Sequence, residues 1–85
     1  MYYVYGVENQ SKNFLYVGST CDLRKRLDQH NAGESKSTKP YIPFKLSAYI
    51  GVTSDRKARS LENYLKSGSG KAILKKRILQ TEAFA

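Results

Sequence analysis

The sequence predicts a single α+β domain whose elements follow the order β-β-α-β-α-α. Three observations support this. Short segments near the start are rich in β-branched and aromatic residues, as strands are. Later segments carry apolar residues at helical spacing and open on side chains that cap helices. The 85-residue length suits one domain. We expect the domain to span residues 1–80 and a short tail to occupy residues 81–85.

Two strands are predicted at the N-terminus, Tyr2 to Val7 and Phe14 to Gly18. A polar turn over residues 8–13 joins them. If this turn closes symmetrically, Tyr5 lies directly opposite Tyr16, and opposed residues of an antiparallel pair point to the same face. The two hydroxyls would then be neighbours, whereas a one-residue slip would separate them.

The first helix is predicted over residues 23–31. Asp22 is its expected N-cap, and Gly33 is expected near its end. Arg26 and His30 are four residues apart in this helix. They therefore share a face, one turn from each other.

The second half is predicted to contain a loop, a strand and two helices. The expected segments are a basic loop over 34–43, a strand over 44–52, a helix capped by Thr53 or Ser54 that ends at Lys66, a break over 67–70 and a basic helix over 71–80. The glycine-rich break lacks the spacing of a phosphate-binding loop, so we interpret it as a turn between helices. Cys21 is the only cysteine; this excludes an internal disulfide, and we interpret it as a small buried residue.

The charge balance favours a polyanionic partner. Fifteen Lys and Arg residues against seven Asp and Glu give a net charge of +8, which points to nucleic acid before a membrane. The first residues lack the features of a signal peptide and no segment is apolar enough to span a bilayer, so we expect a cytoplasmic protein. The candidate contacts to nucleic acid are Lys36, Lys39, Lys71, Lys75, Lys76 and Arg77. The alternative is ordinary solvated charge.

Five side chains form a candidate catalytic set: Tyr5, Tyr16, Arg26, His30 and Glu62. Hydrolysis of a phosphodiester needs an activated water, neutralisation of the phosphate charge and help for the leaving oxygen. A bound Mg²⁺ supplies much of the last two, and it often uses only one or two protein carboxylates. The set therefore predicts metal-assisted phosphodiester cleavage.

Each member also has a structural interpretation. Glu62 either binds a metal or pairs with Arg59 or Lys66 on its own helix. Arg26 either clamps a phosphate through its planar fork or is a solvated helix residue. His30 either transfers a proton or packs as a buried or capping side chain. The tyrosines are either chemical groups or core aromatics.

Several motifs resemble the GIY-YIG nuclease superfamily. Tyr3-Val4-Tyr5 and Tyr16-Val17-Gly18 resemble its paired signature, and residues 22–30 are similar to its first helix. Leu61-Glu62-Asn63 resembles the segment that carries the family's metal-binding glutamate. The resemblance covers residues 2–79 and is closest to small stand-alone members with a single domain.

The resemblance implies a three-stranded antiparallel sheet flanked by helices. It also implies one divalent metal, Mg²⁺ or Mn²⁺, at Glu62. In this interpretation Tyr16 activates the attacking water and Tyr5 assists it. Arg26 would stabilise the phosphate, and His30 would support the proton chemistry.

The chain departs from the family pattern in three ways. The first motif reads Tyr-Val-Tyr instead of Gly-Ile-Tyr, Ser19 stands where excision-repair members carry a lysine, and a late asparagine is absent. The expected function is a metal-dependent endonuclease with little intrinsic sequence specificity, and with DNA ahead of RNA as substrate. The alternative is a non-catalytic or partner-dependent basic module that binds nucleic acid. A protein partner or homodimer, and a process such as DNA repair, restriction or element mobility, are left open.

Overall fold

The computed structural model describes residues 1–9 and 11–79. Its elements follow the predicted order β-β-α-β-α-α. They are β1 (Tyr2–Asn9), β2 (Phe14–Thr20), α1 (Leu23–Asn31), a 3₁₀ turn (Lys39–Tyr41), β3 (Lys45–Val52), α2 (Asp55–Lys66), α3 (Gly68–Ile73) and a π-helical segment (Leu74–Leu79) that continues α3. The predicted end of the last helix at Gln80 and the predicted tail over 81–85 lie outside the described residues.

The three strands form one antiparallel sheet in the order β2-β1-β3, which confirms the predicted fold class. The central strand β1 is the most buried, and its side chains alternate between the two faces of the sheet. Val4 faces one side and Tyr5 the other. Because helices cover both faces, β1 is apolar on both sides.

Each face of the sheet has its own core. On the first face α2 and the π-helical segment pack against the sheet, and the buried residues are Val4, Leu15, Val17, Ala58, Leu65 and Leu74. On the second face lies α1, and the buried residues are Tyr5, Val7 and Phe44, with Tyr16, Leu23 and Leu27 packed at their margin. The two tyrosines of the candidate set therefore lie on the α1 face.

The predicted register of β1 and β2 is wrong by two residues. Tyr5 lies opposite Gly18, and Tyr16 lies opposite Val7. The turn is shorter than expected because Asn9 stays in the strand, where its side-chain oxygen accepts hydrogen bonds from Ser11 Oγ at 2.8 Å and from a later amide of the turn. Since the displacement is even, both tyrosines still point to the same face.

The predicted caps of the first two helices are confirmed. The Asp22 side chain accepts a hydrogen bond from the Lys25 amide, and Ser54 does the same for Lys57. Helix α1 has the predicted bounds. Gly33 follows it with a φ of +76°, in the left-handed region that favours glycine.

The start of α3 differs from the prediction. Ser67 is the only residue between α2 and α3, and it is both the C-cap of the first helix and the N-cap of the second. Helix α3 therefore begins at Gly68, three residues before the predicted position. Gly70 lies so close to the Tyr64 carbonyl that an added Cβ would overlap that oxygen, so a side chain cannot be accommodated there. Gly70 is thus explained by packing within a helix–helix junction.

Within the described residues, no helix is long and apolar enough to cross a membrane.

Candidate active site

The glycine of the Tyr-Val-Gly segment makes room for the first tyrosine. A Cβ on Gly18 would lie 2.6 Å from Tyr5 Oη and 3.0 Å from Tyr16 Cε2. The Tyr5 ring therefore lies directly on the β2 backbone. The register places Tyr5 two positions from Tyr16 and brings the Tyr5 ring over Gly18. The Tyr3-Val4-Tyr5 and Tyr16-Val17-Gly18 segments are therefore in direct van der Waals contact.

A chain of hydrogen bonds runs from α1 into the loop before the 3₁₀ turn. Arg26 Nε donates to Tyr5 Oη at 3.2 Å, and Tyr5 Oη lies 2.8 Å from His30 Nε2. His30 Nδ1 lies 2.9 Å from Thr38 Oγ1, which donates to the Ser35 carbonyl at 3.4 Å. We call these five residues the histidine chain. Tyr5 is only 3% exposed, and both His30 and Thr38 are completely buried.

Burial and mutual contact shift the pKa values of three groups in the histidine chain. Burial raises the pKa of Tyr5, although Arg26 acts in the opposite direction. The hydrogen bond to Tyr5 raises the pKa of Arg26, with a further contribution from Tyr16. Burial and then the Arg26 charge lower the pKa of His30. The interior of the site therefore holds a neutral imidazole beside a fixed cation.

Tyr16 is the more accessible of the two tyrosines. Its side chain is half-buried, and its ring centroid lies 5.1 Å from that of His30 and 6.5 Å from that of Tyr5. Lys66 Nζ stands 5.5 Å from the Tyr16 ring centroid. Tyr16 thus connects the buried histidine chain to the surface and has a cation on its outer side.

Glu62 is held by two partners, which together with it form what we call the carboxylate cluster. Ser19 Oγ donates to Glu62 Oε1 at 2.6 Å, and Lys66 Nζ forms an ion pair with Oε2 at 2.7 Å. Burial on its own would raise the pKa of Glu62, but the hydrogen bonds from Lys66 and Ser19 bring it below its usual range. The contact with Glu62 raises the pKa of Lys66. Glu62 is therefore a carboxylate anion with both oxygens engaged.

The site extends around the free edge of β2. Ser19 shares the sheet face of Val17, which α2 covers, whereas Tyr16 points to the α1 face. Because β2 is an outer strand, the Lys66 side chain passes its edge to contact Glu62 on one side and Tyr16 on the other. Tyr16 packs against His30, so at this edge it links the histidine chain to the carboxylate cluster.

An open groove of about 280 Å³ begins beside the carboxylate cluster. Its walls include Ser19 and Cys21 from the end of β2 and its continuation, and Arg59 from α2, which pairs with Asp55 at 3.1 Å. Cys21 is exposed, so the prediction that it is buried is wrong. It lies directly after the end of β2, in the connection to α1.

Glu62 fits a metal site that has few protein ligands. Among residues 1–9 and 11–79, no group of three or more His, Cys, Asp or Glu side chains converges as a metal cage. A half-buried carboxylate with a hydroxyl beside it suits a cation that keeps water and phosphate oxygens as its other ligands, as Mg²⁺ does. A metal at Glu62 Oε2 would have to displace Lys66. The contacts of Glu62 are therefore compatible with both interpretations, a structural ion pair and a metal ligand.

The predicted nucleic-acid contacts fall into two separate groups. Lys36 and Lys39 are exposed on either side of Thr38, near the histidine chain. Lys71 is half-buried on α3, and Lys75 and Lys76 are exposed on the π-helical segment, which packs on the opposite face of the sheet. Arg77 lies on the same segment, and its side chain is outside what the structure describes. The structure therefore does not bring the two groups together on one face.

The sequence does not predict the full role of three residues of the site, Lys66, Ser19 and Thr38. The Glu62–Lys66 spacing of four residues indicates the ion pair, but it gives no sign that Lys66 also reaches Tyr16. The sequence marks Ser19 only as a departure from the family pattern, not as a partner of Glu62. Thr38 lies in a loop with no periodic pattern, so the sequence carries no signal for its contact with His30.

Comparisons with known proteins identify the family of this chain. A family model described as the GIY-YIG catalytic domain matches residues 1–77. The UPF0213 protein YsiG of Lactococcus lactis is 39% identical over 66 residues, which cover 76% of this chain and 62% of that protein. A UPF0213 protein of Streptococcus pneumoniae is 38% identical over 65 residues, 75% of this chain and 65% of that protein.

A further relative is the UPF0213 protein SpyM50708 of Streptococcus pyogenes, 42% identical over 65 residues, which cover 75% of this chain and 70% of the relative. The aligned region thus spans about two thirds of the length of the curated relatives it matches. No solved structure matches the chain. The family match, the fold and the paired tyrosines agree, and the chain belongs to the GIY-YIG family, a superfamily of nucleases.

Proposed function

We propose that the protein is a divalent-metal-dependent endonuclease that hydrolyses phosphodiester bonds of nucleic acid, with DNA ahead of RNA as its substrate. The observation that carries the proposal is that contacts link Tyr16 to both Glu62 and Arg26. Lys66, the ion-pair partner of Glu62, lies 5.5 Å from the Tyr16 ring centroid, and Arg26 donates to Tyr5, whose ring centroid lies 6.5 Å from that of Tyr16. The proposed proton acceptor, phosphate clamp and carboxylate come from three different elements. An edge strand leaves room for an extended backbone to approach.

Arg26 is the proposed phosphate clamp. Its Nε is fixed by Tyr5 and its Nη1 by Gln29, at 3.2 Å in each case. These two bonds orient the guanidinium plane while other N–H groups of the fork are left for phosphate oxygens. Two hydrogen bonds within the protein therefore prepare the geometry that a phosphate requires.

Tyr16 is the proposed acceptor for the proton of the attacking water. It is the tyrosine that solvent reaches, and the Arg26 and Lys66 cations lie near it. Fixed positive charges favour the negative charge that develops on its oxygen. Tyr5 and His30 are buried behind it, and their proposed role is to support Tyr16 and Arg26.

Glu62 is the proposed metal ligand. When bound, Mg²⁺ or Mn²⁺ would neutralise charge on the phosphate and on the leaving oxygen. Glu62 supplies an ionised carboxylate at the strand edge, and Ser19 holds it in position. The proposal needs Lys66 to move away from Oε2 when the metal arrives.

Low sequence specificity follows from the kind of contacts the domain offers. A net charge of +8 attracts the phosphate backbone, which carries no sequence information. Binding that depends on phosphates should weaken steeply and nearly linearly with the logarithm of salt concentration. Fluorescence anisotropy of a labelled duplex at several salt concentrations measures this slope, and a flat response would contradict the electrostatic part of the proposal.

The test of the nuclease proposal is cleavage of supercoiled plasmid and of a branched oligonucleotide by the purified protein. The reactions contain Mg²⁺ or Mn²⁺ in one series and a chelator in the other. Glu62→Gln and Tyr16→Phe are compared with Glu34→Gln and Tyr64→Phe, which change an exposed carboxylate and an exposed tyrosine outside the site. We expect metal-dependent nicking that falls by about 10²-fold or more in both site variants and is unchanged in the controls.

A second candidate function is a binding module that does not cleave. The observation that favours it is the full engagement of both Glu62 oxygens by Ser19 and Lys66. A folded protein that binds DNA but gives no metal-dependent product would support this candidate and reject the nuclease. Activity that arises only with an added protein partner, or only in a dimer, would support a partner-dependent subunit.

A further inference from the structure

The hydrogen bonds of the histidine chain can be donated in only one direction along the chain, because the groups at its two ends have fixed roles. Arg26 can only donate hydrogen bonds, and the Ser35 carbonyl can only accept them. Three groups that can do both stand between these ends: the Tyr5 hydroxyl, the His30 imidazole and the Thr38 hydroxyl. Each hydroxyl has one proton, so the direction of one bond sets the direction of the next.

Only one tautomer of a neutral His30 satisfies all four contacts. If Thr38 donates its proton to the Ser35 carbonyl, its oxygen must accept from His30, which places the imidazole proton on Nδ1. His30 Nε2 is then unprotonated and accepts the proton of Tyr5, whose oxygen still accepts from Arg26. Every donor has an acceptor in this arrangement.

The other tautomer leaves a buried group without a partner. A proton on His30 Nε2 would point at Tyr5 Oη, which already accepts from Arg26, so the Tyr5 proton would lose its acceptor in this network. Thr38 would have to donate to Nδ1 and release the Ser35 carbonyl. A buried donor without an acceptor is destabilising, because it has lost its hydrogen bonds to water without gaining a replacement. Tyr5 is only 3% exposed, so the solvent is poorly placed to supply another acceptor for its proton.

We propose that Thr38 is a positioning residue that fixes His30 as the Nδ1–H tautomer and thereby orients the Tyr5 hydroxyl and Arg26. When His30 Nε2 is the acceptor, the Tyr5 hydroxyl proton points away from Arg26. A lone pair on Tyr5 Oη is then free to accept the hydrogen bond from Arg26 Nε. The orientation of the phosphate clamp is therefore set from a loop residue three hydrogen bonds away. The consequence for catalysis rests on the proposed nuclease function, whereas the tautomer does not.

The protein has one histidine, so its tautomer can be measured without assignment of competing signals. Two-bond ¹H–¹⁵N correlation NMR on ¹⁵N-labelled protein near neutral pH distinguishes a protonated from an unprotonated ring nitrogen. We expect a protonated Nδ1 and an unprotonated Nε2 in the wild type. A protonated Nε2 in the wild type would overturn the proposal, whatever the nuclease assay shows.

Three variants separate positioning from packing. Thr38→Val keeps the shape and removes the hydroxyl, Thr38→Ser keeps the hydroxyl, and Ser37→Ala removes an exposed hydroxyl from the same loop. We expect the Nδ1–H signature to be lost or mixed with Nε2–H in Thr38→Val, and to be retained in Thr38→Ser and Ser37→Ala. An unchanged tautomer in folded Thr38→Val would overturn the proposal. If that variant does not fold, Thr38→Ala is measured under the same criterion.

The cleavage assay then tests the consequence for catalysis. Misorientation of Arg26 should lower kcat about tenfold or more with little change in KM, because the clamp acts mainly in the transition state. Thr38→Ser should restore the wild-type value. A tautomer that changes while kcat does not would overturn the positioning role. A wild type without nuclease activity would reject the proposed function and leave the NMR result to decide the tautomer.

Discussion

The histidine chain and the carboxylate cluster are linked through Tyr16 but are held together by different forces. The first is a buried series of neutral and charge-assisted hydrogen bonds in which His30 and Thr38 have no solvent exposure. The second is an ion pair and one hydroxyl contact near the surface, with the Glu62 side chain 18% exposed and that of Lys66 44% exposed. A buried network is costly to disrupt, whereas a surface ion pair is easily exchanged.

This difference separates two tasks. In the proposed function, the buried chain would hold Tyr5 and Arg26 in one geometry before a substrate arrives. The carboxylate cluster would exchange Lys66 for a metal ion with a small change in the stability of the fold. We therefore propose a rigid half that orients groups and an adaptable half that binds the metal. The following variants test that division.

Removal of the imidazole should have the largest effect on stability. His30→Leu takes away the acceptor of the Tyr5 proton in a fully buried position, so we expect the free energy of unfolding to fall by about 2 to 3 kcal/mol. Urea unfolding measures this loss. Glu62→Gln is the matched change in the carboxylate cluster, and we expect it to cost less than about 1 kcal/mol. Equal losses would contradict the division into a rigid and an adaptable half.

A side chain at Gly18 should have the next largest effect. An added Cβ would stand 2.8 Å from Tyr5 Cζ, so Gly18→Ala must push the ring off the β2 backbone. Overpacking of this kind costs about 1 to 3 kcal/mol. We expect a lower midpoint in thermal unfolding and a loss of cleavage. Gly68→Ala is the control, because a Cβ at that glycine meets no atom within 4 Å.

The lowered pKa of His30 predicts how stability varies with pH. The unfolded chain has an ordinary histidine, so below about pH 6.5 it binds a proton that the folded protein resists. The stabilisation that comes from the neutral imidazole is complete above the pKa of histidine in the unfolded chain. It is lost as the pH falls through the lower pKa of His30 in the folded protein. Tyr5 and Arg26 face the imidazole, and neither changes charge in this range.

We therefore expect the free energy of unfolding to fall between about pH 7.5 and pH 5.5, by at most about 1.4 kcal/mol per pH unit. Denaturant titrations at several pH values measure it. The slope should be smaller in His30→Leu, since His30 is the only histidine. A wild type whose stability is constant or rises toward acid pH would contradict the buried neutral imidazole.

The smallest expected effect concerns metal affinity. Lys66→Met removes the cation that occupies Glu62 Oε2, so Mn²⁺ should bind about fivefold more tightly, the equivalent of one partly exposed ion pair. Isothermal titration calorimetry without nucleic acid measures this. Lys57→Met removes the same charge from an exposed position on α2 and is the control. Unchanged or weaker binding in Lys66→Met would show that Lys66 does not compete with the metal.

Local sequence signals predicted much of the fold. Asp22 and Ser54 cap their helices as expected, because a capping side chain needs only backbone amides two or three residues away. The register of β1 and β2 was not predictable by symmetry, since the Asn9 side chain helps to close the turn. The start of α3 was missed because one residue, Ser67, caps two helices.

The site follows the same rule. The spacing of Arg26 and His30 on one helix put them on a common face, and the spacing of Glu62 and Lys66 indicated their ion pair. Contacts between distant elements carried no such signal. The hydrogen bond between His30 and Thr38 depends on how a loop folds over α1, and that of Ser19 depends on where α2 crosses the sheet.

The route of the Lys66 side chain past β2 has a consequence for solubility. An outer strand exposes backbone donors and acceptors that can recruit a strand from another molecule, and charged side chains at such an edge discourage this pairing. The ion pair between Lys66 and Glu62 places two opposite charges beside the outer edge of β2. Apolar replacement of both residues would remove this protection together with the proposed metal ligand. The residues proposed for chemistry would thus also keep copies of the protein from joining into extended sheets.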